Sequence, residues 1–307
     1  VVGVLRLSPN WLVARIMAIY VEMFRNVPVL LWIVFTMAIL IETLPAPSAF
    51  RGDDATSTMK LFDSVAFTNR GFYIPEPLFS RGLGDISIGG AFEISLDLIA
   101  ILVVLFISII AARRVSRRAD AVQEKTGVRP RTWPQRLAIF VVPMVVLLVV
   151  LGFYLGMPEL KGFNFGGGIH LRNSLIALWL ALSLYTAAFI AEIVRAGILA
   201  ISKGQTEAAA ALGIKPRRIM SLVILPQALR VIIPPLISQY LNLTKNSSLA
   251  IAVGYMDLTG TLMGITLNQT GRELETVLMG MLVYLTISLV ISVVMNWYNE
   301  SVKLKER

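Results

Sequence analysis

The middle of the chain contains a short basic stretch, Glu207-Ala-Ala-Ala-Ala-Leu-Gly213-Ile-Lys-Pro-Arg-Arg-Ile219. It lies between two apolar runs, at about Ser174 to Ile201 and about Ile219 to Leu243. Each run is close to the roughly 20 residues that a helix needs to cross a bilayer. The pattern predicts two membrane-spanning helices joined by a charged segment that a soluble partner can reach.

The composition supports a membrane setting for the whole chain. Of its 307 residues, 56% are hydrophobic and 15% are charged, and the apolar residues fall in long runs. Four further runs of spanning length lie at about Val27 to Leu44, Ala91 to Ala112, Leu137 to Gly156 and Thr276 to Trp297. We expect helices, because a backbone in lipid must satisfy its own hydrogen bonds and the runs lack the alternation of barrel strands. The prediction is an all-α polytopic membrane protein with a single transmembrane domain over residues 1–307.

The start of the chain reads as part of a further span. Val1 to Leu5 is apolar and is predicted to be the tail of a seventh helix that begins upstream. We therefore expect N-terminal residues to be missing from this sequence.

The distribution of lysine and arginine predicts the orientation. Residues 113–136, the arginine-rich segment, carry eight basic residues, whereas residues 45–90 carry four basic and five acidic residues. The positive-inside rule places the arginine-rich segment in the cytoplasm and 45–90 outside. Successive spans cross the membrane in opposite directions, which places residues 203–218, the Glu-Ala-Ala loop, in the cytoplasm as well. The same alternation places the C-terminal tail with Lys303, Lys305 and Arg307 there.

The residues of the Glu-Ala-Ala loop favour a helix, a corner and a second helix. Thr206 is predicted to cap a helix that starts at Glu207, and Gly213 permits the left-handed turn that ends it. Alanines give the helix a smooth face for close docking, and Lys215, Arg217 and Arg218 add positive charge. The alternative is an ordinary alanine-rich turn with a glycine stop, and local chemistry alone does not decide between the two.

Longer motifs resemble a known family. The first motif consists of Glu207-Ala-Ala, three further residues, Gly213, nine further residues and Val223-Ile-Leu-Pro226. It resembles the loop by which permease subunits of ATP-binding-cassette importers bind their ATPases. A second motif resembles the polar amino-acid permeases among these importers. It is Tyr185-Thr-Ala-Ala-Phe-Ile-Ala-Glu192-Ile-Val-Arg195, followed by Lys203-Gly204-Gln205. Gly254-Tyr-Met-Asp257-Leu-Thr-Gly260 resembles more narrowly the bacterial general L-amino-acid permeases for glutamate, glutamine, aspartate and asparagine. The pair of spans near Ala91 to Gly156 goes beyond the five-span core of smaller relatives.

The resemblance implies a type I importer permease fold with a cytoplasmic coupling helix, in the bacterial inner membrane. The ATPase-coupling residues would be Gly204, Glu207, Ala208, Ala209, Gly213, Lys215, Arg217 and Arg218. The implied partners are a cytoplasmic ATP-binding subunit dimer that holds ATP and Mg²⁺, a second permease subunit and a periplasmic amino-acid-binding protein. This chain would bind no cofactor or metal itself.

Polar residues at membrane depth are costly unless they face protein or water. Glu192 and Arg195 are three apart on one helix face, and we expect them to pair and lock helices together, with substrate contact as the alternative. Asn242, Thr244, Lys245, Asn246 and Ser247 follow Pro234 and Pro235, which are expected to kink the span. An unwound helix there would offer Lys245 to a substrate carboxylate; the equal alternative is a helix cap at the outer interface. Asp97 is expected to make a buried hydrogen bond.

Other classes of function are less well supported. Net charge is +9, but the basic residues sit between spans rather than on a face suited to nucleic acid. The sequence has no G-x-x-x-x-G-K-[ST] phosphate loop, so hydrolysis of ATP is assigned to another subunit. A secondary transporter driven by an ion gradient is the alternative, although only one broken helix and no repeated halves are visible. A membrane enzyme would need clustered carboxylates or metal ligands, and His170 is assigned no role.

Overall fold

The computed structural model describes residues 1–51, 55–88 and 92–302. Within these residues, six helical segments are long and apolar enough to cross a membrane. They are Val29–Phe50, Leu96–Thr126, Trp133–Leu151, Asn173–Leu199, Pro216–Val253 and Glu273–Ser301. Each contains the greater part of one predicted run, so the helical membrane-spanning architecture is confirmed.

The helices in chain order are α1 (Val2–Leu5), α2 (Trp11–Asn26), α3 (Val29–Thr43), α4 (Leu96–Thr126), α5 (Trp133–Val150), α6 (Asn173–Leu199), α7 (Lys203–Ala211), α8 (Pro216–Ile219), α9 (Leu225–Asn246), α10 (Leu267–Thr270) and α11 (Glu273–Val302). Short 3₁₀ segments occupy Pro47–Phe50 and Ser247–Val253, and π-helical turns occupy Met220–Ile224 and Gly260–Thr266. Nine strands of three or four residues complete the described structure: β1 (Ala66–Thr68), β2 (Gly71–Ile74), β3 (Glu76–Phe79), β4 (Asp85–Ile88), β5 (Phe92–Ser95), β6 (Phe153–Gly156), β7 (Glu159–Lys161), β8 (Asn164–Gly166) and β9 (Ile169–Arg172).

The chain forms two compact units. The first comprises Val1–Ala49, Phe67–Phe72 and the described residues of Leu171–Arg307, and the second comprises the described residues of Phe50–Ala66 and Tyr73–His170. The predicted C-terminal lysines and arginine, at 303, 305 and 307, lie outside the described residues.

Helix α6 is the centre of the first unit, where it packs against α1, α2, α3 and α9. Leu178, Ala181 and Leu182 on α6 are buried against Val29 and Ile33 of α3. Small residues allow other helices to approach closely, because a Cβ atom added at Gly3 would overlap the Ala191 carbonyl oxygen and one at Gly197 would overlap Ile232. Backbone contact through small residues therefore sets the helix crossings on both sides of α6.

The second unit joins α4 and α5 to antiparallel strand pairs. β3 pairs with β6, β4 with β5, and β7 with β8. Two predicted span ends were therefore wrong: α4 begins at Leu96 rather than Ala91, and α5 ends at Val150 rather than Gly156. In both places the flanking residues satisfy their backbone groups by strand pairing, which removes the need for a longer helix. The segment 45–90, predicted simply as an outer loop, contains β1 to β4.

Two isolated polar residues have structural partners within the second unit. The buried Asp97 carboxylate accepts a hydrogen bond from the Leu83 amide at 2.9 Å, so the predicted buried hydrogen bond is confirmed. The ring of His170 stacks on Tyr73, with the ring centroids 4.4 Å apart. Both side chains stabilise the short strands next to the helix ends.

Candidate functional site in the Glu-Ala-Ala loop and the span that follows it

The Glu-Ala-Ala loop folds as two helices around a tight corner. α7 begins at Lys203, so the predicted start at Glu207 was four residues late, and Thr206 lies inside the helix instead of capping it. Gly213 has φ of +73°, the left-handed conformation expected of a glycine at this position. Its amide donates to the Ala210 carbonyl at 2.9 Å, and the Ile214 amide donates to the Ala209 carbonyl at 3.3 Å. Pro216 then opens α8 at a position where its missing amide costs nothing.

A small apolar cluster attaches the loop to the ends of the neighbouring spans. Ala209, Ile219 and Ile224 are each at least 94% buried, and Ile198 at the end of α6 and Val223 pack against them. Ala209, one of the predicted ATPase-coupling residues, thus faces inward, and its part in coupling stays a prediction. Its burial makes α7 part of one packed body with the two span ends.

The outward face of the loop carries unpaired charges and one large apolar side chain. Gly204, Glu207, Ala208 and Gly213 are exposed, and so are Lys215, Arg217 and Arg218. Within the described part of the chain, none of these four charged side chains forms an ion pair. Leu212 at the end of α7 is 80% exposed, and sequence reasoning missed it, although an apolar residue directly before the corner glycine is a readable signal. A protruding leucine ringed by cations suits a groove with an acidic rim.

The predicted pair of Glu192 and Arg195 is present and belongs to a larger ionic cluster. Arg195 Nη2 lies 3.2 Å from Glu192 Oε1, as the spacing of three residues predicted. Glu192 also pairs with Arg6, which follows α1, and Arg25 at the end of α2 lies 4.0 Å away. Arg6 and Arg25 were missed because 186 and 167 residues separate them from Glu192, and no local pattern reports such contacts. The single carboxylate thus ties two N-terminal segments to α6.

The span after the loop is less interrupted than expected. α9 continues through Pro226 in its first turn and through Pro234 and Pro235 in its interior, and it ends only at Asn246. Of the two alternatives for Asn242 to Ser247, the unwound helix was therefore wrong for all but the last residue. Irregular backbone begins with the 3₁₀ segment Ser247–Val253, whose Ala250 is fully buried against α3 and α6.

The residues predicted to line the substrate path fall into two sets: those whose side chains bond to the helix backbone and those whose side chains do not. Three hydroxyls bond to the helix backbone: Thr244 to the Tyr240 carbonyl at 3.0 Å, Ser247 to the Thr244 carbonyl at 2.7 Å and Ser248 to the Lys245 carbonyl at 2.7 Å. Asn242 and Lys245 are exposed, and Asn246 is half-buried. None of these three side chains bonds to another side chain in the described residues. The free ammonium of Lys245 is thus the strongest unpaired polar group at this end of α9.

A cavity of about 400 Å³ lies beside the 3₁₀ segment and was not anticipated. Ser248, Thr259 and Tyr284 supply its polar lining, and Met263 and Met281 part of its apolar lining. Asp257 organises this wall: its carboxylate accepts from the Gly260 amide at 2.8 Å and from the Tyr284 hydroxyl at 3.2 Å. The stretch Asp257-Leu-Thr-Gly260 was the signal in the sequence, since an aspartate directly before a helical segment commonly accepts a hydrogen bond from the amide three residues later.

Arg230 on α9 is a further residue that the sequence analysis did not single out. Its Nε and Nη2 atoms are enclosed and have no hydrogen-bond partner among the described residues. Its position inside a predicted span was the available signal, because a cation at membrane depth is expensive and commonly functional.

Among the described residues, no cluster of three or more histidine, cysteine or carboxylate side chains is placed to hold a metal ion.

The chain is similar to known proteins over nearly its whole length. The family model for the binding-protein-dependent transport system inner membrane component matches residues 135–304. The chain is 61% identical over 312 residues to the glutamate/glutamine/aspartate/asparagine transport system permease protein BztB of Rhodobacter capsulatus, covering 99% of this chain and 73% of that protein. It is 44% identical to the putative amino-acid ABC transporter permease protein YhdX of Escherichia coli, covering 100% of this chain and 72% of that protein. It is also 43% identical to the general L-amino acid transport system permease protein AapQ of Rhizobium johnstonii, covering 100% and 71% respectively. The chain therefore belongs to the family of binding-protein-dependent transport system inner membrane components.

Proposed function

We propose that this chain is the transmembrane permease subunit of an ATP-driven importer that moves polar L-amino acids, including acidic and amide ones, into the cytoplasm. Family membership and the names of the three relatives support the transport class and the substrate class. The observation that carries the mechanism is the Glu-Ala-Ala loop, whose outer face is charged and whose inner face packs on two span ends. Such a loop can transmit a movement of a bound soluble protein to the two membrane helices.

The chain works with three kinds of partner and performs no hydrolysis itself. A cytoplasmic ATP-binding subunit dimer binds and hydrolyses ATP with Mg²⁺ and receives Leu212 and the surrounding cations of the loop. A second, homologous permease chain completes the pathway, and a periplasmic binding protein delivers the amino acid. The lack of a phosphate-binding loop motif in this sequence supports the assignment of hydrolysis to the partner.

The proposed orientation follows the positive charges. Residues 203–218 and the arginine-rich segment 113–136 face the cytoplasm together with the C-terminus, and residues 45–90 face outward. The domain is a single permease domain in which the second unit supplies an extra span pair and strands on the outer side.

The substrate path passes Lys245 and the cavity beside Ser248. The unpaired ammonium of Lys245 attracts the α-carboxylate that all amino acids share, while hydroxyl groups of Thr259 and Tyr284 line the neighbouring space. The half-buried ionic cluster at Glu192 and Arg195 keeps its structural role.

Lys245→Met tests the path. Because the α-carboxylate is common to all substrates, uptake of glutamate, glutamine, aspartate and asparagine should weaken by a similar factor, with their ranking unchanged. Uptake is measured against concentration in proteoliposomes with ATP supplied on the loop side, normalised to assembled complex. Lys60→Met, which removes another exposed lysine, is the matched control and should leave uptake intact. Unchanged normalised uptake in Lys245→Met would remove this residue from the path, and uptake driven by an ion gradient without ATP would contradict the importer assignment.

A further inference from the structure

A basic pocket lies between α4 and α5 in the second unit and has no part in the coupling or the substrate path. Its volume is about 330 Å³, within the range of small-ligand clefts. Arg113 and Arg117 of α4 and Arg136 of α5 line it, together with Ser116. The other lining residues are Ile109, Ala112 and Phe140, so the pocket is basic at one end and apolar at the other.

The three arginines are available to a ligand. Arg113, Arg117 and Arg136 are exposed, and none of their side chains forms an ion pair, a hydrogen bond or a ring contact in the portion of the chain that is described. The ion pair nearby in sequence, Arg129 to Asp120 at 2.9 Å, uses neither the pocket arginines nor the pocket serine. Guanidinium groups bind phosphate oxygens in a two-pronged geometry, and a hydroxyl adds a further donor.

The position along the helices corresponds to the border of the bilayer. From Leu96, the apolar part of α4 reaches Arg113 and Arg117 after about 25 and 32 Å, which matches a hydrocarbon core of about 30 Å. Arg136 likewise stands directly before the apolar run of α5. Trp133, an aromatic residue of the kind that marks membrane interfaces, lies one turn earlier on α5. Beyond the pocket, the apolar faces of both helices are open, with Phe106 64% and Val142 57% exposed.

We infer that this pocket binds the phosphate of one anionic phospholipid, with the headgroup held by Arg113, Arg117, Arg136 and Ser116 and the start of an acyl chain lying along Ile109 and Phe140. The apolar end of the pocket favours a lipid over free phosphate, because a soluble anion gains nothing from it. Three unpaired cations favour phosphatidylglycerol or cardiolipin over a zwitterionic lipid, whose ammonium group they repel.

The test counts lipid bound to the purified full chain. The protein is incubated in mixed micelles with phosphatidylglycerol or phosphatidylcholine, and retained lipid is measured by native mass spectrometry. The wild type should retain phosphatidylglycerol in preference to phosphatidylcholine. The triple variant Arg113→Gln, Arg117→Gln, Arg136→Gln should retain at least about ten-fold less phosphatidylglycerol. All three side chains are exposed, so the variant should fold normally, which its thermal unfolding verifies.

The control variant removes the same charge from the same segment but outside the pocket, as Arg114→Gln, Arg118→Gln, Lys125→Gln. It should bind phosphatidylglycerol within about two-fold of the wild type, since a local site depends on position and not on total charge. Equal losses in the two variants would overturn the inference in favour of diffuse attraction. Displacement of the lipid by inorganic phosphate would assign the pocket to a soluble anion. Unchanged lipid retention in the pocket variant, together with loss of the ATP-binding subunit when the variant is purified as a complex from cells, would assign the pocket to a protein partner.

Discussion

Gly213 stands at the corner between α7 and α8 with φ of +73°, and no heavy atom lies within 4 Å of the position that a Cβ would take. Backbone conformation, rather than space, therefore requires glycine here. Gly213→Val should strain the corner by about 2 kcal/mol and misplace Leu212 and the loop cations, because a β-branched residue resists positive φ. We expect amino-acid uptake to fall sharply while the chain still inserts, and co-purification of the ATP-binding subunit to decrease.

Gly127→Val is the matched control, at a glycine outside the Glu-Ala-Ala loop. Gly127 ends α4 with φ of +72° and likewise has no heavy atom within 4 Å of the position that a Cβ would take, so the local strain is similar. This variant should preserve association with the ATP-binding subunit. Full uptake with normal association in Gly213→Val would show that the corner does not position a docking surface.

Glu192 is the only carboxylate in its ionic cluster within the described residues, facing Arg6, Arg25 and Arg195. Glu192→Gln leaves three cations without compensation and should destabilise the chain by about 2 kcal/mol, less than the loss for a fully buried pair. In a double-mutant cycle, adding Arg6→Gln should cost less than it does alone, because its partner is already gone. Unfolding in detergent measures all four proteins. Strict additivity would mean that this ion pair contributes nothing to holding α1 on α6.

At the scale of helices, the contact between α6 and α9 depends on Gly197. A side chain there would overlap Ile232 and crowd the Ala228 carbonyl, so Gly197→Leu should separate the helices at a cost of about 1–3 kcal/mol. Ala196→Leu, on the exposed side of the same turn, should change stability by no more than about 0.5 kcal/mol. The midpoint of thermal unfolding distinguishes the two variants. Equal midpoints would show that the helices do not rely on this close approach.

Helix positions were predictable from sequence because spanning length and apolar content are summed over about 20 residues. Their ends were not, because each depends on a local competitor: α4 starts after the Ser95 cap and strand β5, and α7 starts at Lys203 instead of Glu207. Pro234 and Pro235 do not end the helix either, since α9 continues through both. A membrane helix tolerates proline when neighbouring helices and side chains satisfy the freed groups, and α9 packs against both α6 and α11. The Asp257 network and the contacts of Arg6 needed tertiary structure.

At the scale of the whole molecule, the proposed orientation is open to chemical labelling. The chain contains no cysteine, so single cysteines can be introduced without background. A cysteine at Thr126 should be shielded from a membrane-impermeant thiol reagent in intact cells, and one at Thr58 should react, because eight basic residues hold 113–136 in the cytoplasm. Both positions are exposed, so accessibility depends on the side of the membrane alone. Reaction at Thr126 in sealed cells would invert the proposed topology.

The packing of the Glu-Ala-Ala loop has a mechanical consequence for the far end of α9. Ala209 sits against Ile219 and Ile224, and Gln227 on α9 donates to the side-chain Oε1 of Gln205 on α7 at 3.3 Å, so α7 and the near end of α9 turn together. From Leu225 to Lys245, the helix is a lever about 30 Å long. A tilt of about 10° at the loop would carry Lys245 sideways by about 5 Å, roughly one helical turn. A modest rotation imposed at one membrane surface thus becomes, at the other, a displacement comparable to the width of an amino-acid side chain.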